Sequence, residues 1–83
     1  MRNIIIGERT ELYRINDGSL YKSGYYAEAG TPVTIGKKEK LSHDKDKISA
    51  CPVISFRQNL YILVRDLDPV EREHLEEQVE GRS

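Results

Sequence analysis

The four residues Asn16-Asp17-Gly18-Ser19 constrain this chain more than any other stretch of equal length. Asp and Gly tolerate positive φ at the two central positions of a tight turn, and here they separate LYRI from LYKSGYY. Those flanks are rich in aromatic and aliphatic residues that suit a pleated surface, so residues 12–26 read as a β-hairpin. A two-residue loop pairs Ile15 with Leu20 and Arg14 with Tyr21, whereas a three-residue loop with a Gly bulge sets Tyr13 opposite Tyr21. The sequence leaves both registers open. Gly24, inside the second strand, marks a bulge or bend. Four of the five tyrosines, Tyr13, Tyr21, Tyr25 and Tyr26, lie on this ribbon, and strand alternation sends some inward and some outward.

Strand signals continue on either side. Asn3 to Ile6 is short, β-branched and closed by Gly7. Thr31 to Ile35 alternates, with Pro32 restricted to an edge or a strand start because it has no N–H to donate. Ala50–Phe56 and Leu60–Val64 read as a second hairpin around Arg57-Gln58-Asn59, and LYILV is apolar enough for a central strand covered on both sides. Between them, residues 37–47 read KKEKLSHDKDK, eight charged residues and one aliphatic. Such a run predicts a mobile surface loop. Asp68-Pro69-Val70-Glu71 then opens a helix: Asp caps free amides, Pro suits the first helical position, and Glu71 completes a capping-box pattern. The helix is expected to end at Gly81, with Val70, Leu75 and Val79 as a thin apolar stripe and His74 on the docking side.

The order of short first strand, hairpin, the Gly30-Thr31-Pro32-Val33-Thr34-Ile35 strand, polar loop and late hairpin resembles SH3-like barrels of the bacterial SH3 type, over residues 3–67. The chain has no tryptophan for that type's Gly-Trp, and Leu12-Tyr13-Arg14 stands where Asn-Val-Arg is expected. The resemblance therefore implies a barrel architecture and carries no ligand-binding residue. We expect one mainly β domain over residues 1–83, a small curled sheet or SH3-like barrel of about five strands closed by one C-terminal α-helix over 68–81. An α+β two-layer sandwich is the alternative.

Eighty-three residues build one core and bury only about 60–65% of the unfolded chain's surface. The apolar share of 37% still suffices for folding. The N-terminus has three aliphatics in a row before Gly7, too few for a secretory or membrane segment, and Cys51 is the only cysteine. A cytoplasmic location with no membrane partner is expected. The net charge of −1 conceals an asymmetry: residues 1–65 carry eleven Lys/Arg against seven Asp/Glu, and residues 66–83 carry two against seven.

Catalytic and cofactor chemistry finds little to work with. Cys51 precedes Pro52 in an apolar strand and has no positioned base, which predicts an inert buried thiol. Consecutive Ser42-His43-Asp44 is a triad only in print, because triad side chains converge from separate elements. His43, Asp44 and Asp46 have neither zinc nor calcium spacing and are interleaved with lysines. No glycine pattern cradles phosphate. We expect no enzyme, no cofactor and no metal.

Tyrosine and arginine are the residue types that anchor interfaces, so Tyr13, Arg14, Tyr21, Tyr25 and Tyr26 are the candidate protein-binding residues, with Glu73, Glu76, Glu77 and Glu80 as an electrostatic fringe. The resulting expectation is a non-enzymatic intracellular protein-binding module. It would be an inhibitor or accessory factor of the compact kind that phages and mobile elements encode, acting on a larger nucleic-acid-handling protein. The first alternative binds single-stranded nucleic acid, with Lys37, Lys38 and Lys40 on phosphates and the tyrosines stacking on bases. The second is a self-associating structural protein.

Overall fold

The computed structural model describes residues 1–56 and 58–73. It is mainly β: a seven-stranded sheet with a short helix near the C-terminus. The strands are β1 (Arg2–Ile5), β2 (Thr10–Asn16), β3 (Ser19–Ala27), β4 (Pro32–Ile35), β5 (Glu39–His43), β6 (Asp46–Val53) and β7 (Leu60–Leu63). They are followed by a 3-10 turn, Val64–Asp66, and by helical residues 69–73. The sheet order is β1-β4-β6-β5-β3-β2-β7, and a further β6–β7 pairing closes five of the strands, β2, β3, β5, β6 and β7, into a ring. Six of the seven strand pairings are antiparallel. β3 and β5 run parallel and meet at Ser19 and Ser42 alone.

The Asp17-Gly18 turn takes the two-residue form. Asp17 and Gly18 have φ of 57° and 81°, and the register pairs Ile15 with Leu20 and Arg14 with Tyr21. Primed turns of this kind match the right-handed twist of the flanking strands. Gly24 (φ 87°) lies in a register shift: Glu11 faces Tyr26 and Tyr13 faces Lys22, so three β3 residues oppose Leu12 alone. Ser23 holds the bulge, donating from Oγ to the Leu12 carbonyl at 2.8 Å and accepting the Tyr25 N–H at 3.0 Å.

Residues 37–47 are not a loop. They hold β5 and the start of β6, a hairpin turning at Asp44-Lys45 with φ of 51° and 72°. Composition misled because the stabilising partner of Leu41 is Ile48, just outside the charged run, and the two are cross-strand neighbours packed against the ring interior. This hairpin brings the strand count to seven instead of about five. A lysine in the left-handed region costs about 1–2 kcal/mol that glycine avoids, against about 0.5–1 kcal/mol of extra chain entropy. Lys45→Gly is thus expected to raise stability by up to about 1 kcal/mol in urea unfolding.

The core divides across β7. Leu60, Ile62 and Val64 pack with Ile4, Ile6, Leu12, Val33, Ile35, Cys51, Val53 and Leu67 in one cluster, while Leu63 packs with Tyr13, Leu20 and Ala50 in another, joined by half-buried Leu41, Ile48 and Tyr61. The second cluster draws on all five ring strands and so fills the ring. The first lies on the outer side of β7, where β1 and β4 fold over it. Successive side chains of one strand point to opposite faces, so β7, bonded to β2 on one edge and β6 on the other, serves both cores.

The helix opens where the sequence places it, with Arg72 N–H bonded to the Asp68 carbonyl at 3.0 Å. Two details differ from expectation. Glu71 receives Arg2 Nε at 2.6 Å, so its carboxylate ties the helix to β1 instead of completing a capping box. Val70 is 62% exposed and does not dock. His74, Leu75, Glu76, Glu77, Val79, Glu80 and Gly81 lie outside the described residues.

Candidate protein-binding surface

The four hairpin tyrosines separate by burial. Tyr13 is 6% exposed and fills the ring, its aromatic plane meeting His43 edge-on at 5.4 Å. It is a core residue, which corrects its assignment as an interface anchor; residue 13 points inward because Leu12, beside the bulge, belongs to the other core. Tyr21 is 51% exposed, and Tyr25 and Tyr26 are each 45% exposed. Arg14 is exposed directly across from Tyr21.

Neighbouring strand residues normally face opposite ways, yet Tyr25 and Tyr26 both reach solvent because they follow the bulge on a stretch of β3 paired only with β2. Each ring is held. Gln58 Nε2 donates to the Tyr25 hydroxyl at 3.1 Å, and the Arg9 guanidinium sits 4.3 Å from the centre of the Tyr26 ring. Arg9 Nε is in turn 3.3 Å from Glu28. Leu12, Tyr25, Tyr26, Phe56, Gln58 and Leu60 line a groove of about 370 Å³. It continues past Phe56 into a second hollow walled by Ile15, Pro52, Ile54 and Tyr61, where Ile54 is 46% exposed.

Lys37 and Lys40 are exposed and Lys38 is half-buried, but none of them lines the tyrosine groove. The structure does not bring the lysine cluster and the tyrosines into one site. Glu73 is exposed on the helix, and its companions Glu76, Glu77 and Glu80 lie beyond the described residues. Sequence reasoning missed Arg9, Phe56 and Gln58. Phe56 is the chain's single phenylalanine, next to a turn, and that was the available signal.

Cys51 is fully buried, and desolvation pushes its thiol up to about 11, with Lys38 opposing and Glu39 adding to the shift. A thiol so raised stays protonated, and two pK units below its titration point it holds only about a hundredth of its thiolate. Ellman's reagent at mildly alkaline pH is therefore expected to react with the native chain about a hundredfold more slowly than with the urea-unfolded chain. His43 Nε2 lies 3.7 Å from Asp44, and strand alternation turns Ser42 to the opposite face. Among the described residues no group of three or more His, Cys, Asp or Glu is placed to hold a metal ion. No helix among them is long and apolar enough to cross a membrane.

Neither a protein-family model, nor a curated protein, nor a solved structure matches the chain.

Proposed function

We propose that this chain is a non-enzymatic protein-binding module that engages its partner through the Tyr25–Tyr26–Phe56 groove, with Tyr21 and Arg14 extending the contact along the hairpin. The observation that carries this reading is the pair of exposed tyrosines, each held by a side chain from another part of the chain, above a half-buried phenylalanine. Rings fixed before binding lose little conformational freedom on association, and aromatic anchors over a pocket are where interface energy concentrates. Phe56, set beside the two exposed rings in the groove lining, supports the reading by offering an apolar seat for a partner side chain.

Affinity capture with wild type and a Tyr25→Ala/Tyr26→Ala variant, each with and without nuclease, tests the reading. The expected result is a discrete protein partner that survives nuclease and is weakened at least about thirtyfold by the double substitution, the effect of removing one hot spot of about 2 kcal/mol. A nuclease-sensitive capture that depends on Lys37 and Lys38 would instead favour the single-stranded nucleic-acid reading. The double variant should keep the wild-type circular dichroism spectrum, since both side chains lie outside the two cores.

A further inference from the structure

Beside the tyrosine groove lies a cleft of about 410 Å³ between the β1–β2 connection and the segment leading into the helix. Glu8, Glu11, Asp66 and Asp68 line it together with Arg9. Local structure sets these carboxylates. Thr10 is buried and donates from Oγ1 to the Glu8 carbonyl at 2.7 Å, fixing the connection. Gly7 leaves room for Asp68: a Cβ there would lie 2.8 Å from Asp68 Oδ1. Among the described residues Arg9 is the one cation lining the cleft, and it is already shared between Glu28 and the Tyr26 ring. Arg65, next to Asp66 in the chain, lines a different hollow with His43 and Lys47. Burial holds the Asp66 carboxyl above the usual carboxylate range, with Arg65 opposing the shift and Glu11 adding a smaller upward push.

Cleft and groove form one surface. Glu11 is the cross-strand partner of Tyr26, and Arg9, which lines the cleft, covers the Tyr26 ring. We infer that the occupant of the tyrosine groove is a protein segment with an apolar anchor flanked by lysine or arginine, the anchor seated against Tyr25, Tyr26 and Phe56 and the cations reaching Glu8, Glu11, Asp66 and Asp68. This rests on the protein-binding reading above and names the partner's chemistry. Four carboxylates against one shared arginine leave the lining acidic among the described residues, and a cationic segment complements that charge while acidic competitors are disfavoured.

The test uses the full chain and a displayed library of random peptides, selected on wild type and then measured one by one. Selected peptides are expected to combine an aliphatic or aromatic anchor with clustered Lys/Arg. Their affinity should fall at least about tenfold on Glu8→Gln/Asp66→Asn and flatten in salt dependence there, with Tyr25→Ala/Tyr26→Ala abolishing binding. Both replaced carboxylates are exposed, so the neutralised variant keeps its fold, checked by circular dichroism. Acidic or neutral peptides that need Tyr25 and Tyr26 but ignore the neutralised cleft would overturn the inference and leave the protein-binding groove standing. Binders indifferent to the two tyrosines, or no binders at all, would overturn both.

Discussion

Leu63→Ala is expected to remove about 3 kcal/mol of folding stability, a typical loss for a buried leucine whose surroundings relax only partly. Leu63 is fully buried at the centre of the ring core, against Tyr13, Leu20 and Ala50. A domain this small holds only about 5 kcal/mol in total, so the variant should retain less than half of the wild-type value in urea unfolding. Ile62→Ala, one residue earlier and also fully buried, should cost a similar amount by opening a cavity in the other core. The pair tests the architecture as well as the packing. Because β7 belongs to both cores, damage to either face should lower a single cooperative transition. Two separated transitions in Leu63→Ala would show that the ring and the outer layer fold independently. Val70→Ala, at a residue 62% exposed, should change stability by less than about 0.5 kcal/mol and serves as the control.

The sequence made the backbone plan legible wherever local chemistry decided it. Asp17-Gly18 marked a hairpin turn with its register open, Gly24 a bulge or bend, Pro32 an edge or a strand start and Asp68-Pro69 a helix opening; the structure has the two-residue turn, the bulge, the strand start and the helix opening. Run-on apolar character in LYILV announced a strand buried on both faces, which the two clusters confirm. Composition failed over residues 37–47, because a hairpin needs only one inward pair and a turn, and Leu41 with Ile48 supplied the pair across a boundary that a charge count obscures. The candidate site was legible in part. Tyr21, Tyr25 and Tyr26 are exposed as an interface requires, but Gln58 and Arg9 reach them from 33 and 17 residues away, distances over which no periodicity carries information. The acidic cleft is likewise a product of tertiary folding. It joins Glu8 and Glu11 to Asp66 and Asp68, and the linear charge asymmetry shows only the second pair.

Stability and binding should divide the hairpin tyrosines cleanly. Tyr13→Ala is expected to cost about 3–4 kcal/mol, since it deletes a ring that is 6% exposed, removes the edge-on contact with His43 and leaves a cavity among β2, β3 and β7. Tyr13→Phe should cost less than about 1 kcal/mol, because the ring provides most of the packing. Tyr21→Ala should change stability by no more than about 0.5 kcal/mol, as a half-exposed residue facing Arg14. Tyr25→Ala and Tyr26→Ala should each stay within about 1 kcal/mol, the worth of one exposed hydrogen bond or one cation–π contact. Measured side by side in urea, the four alanine variants place one tyrosine in the core and three on the surface. A Tyr25→Ala or Tyr26→Ala loss as large as that of Tyr13→Ala would mean that those rings support the fold, and their exposure would then no longer argue for a partner. Small losses at Tyr21, Tyr25 and Tyr26 would show that these exposed rings are not needed for folding, which the proposed interface requires of them.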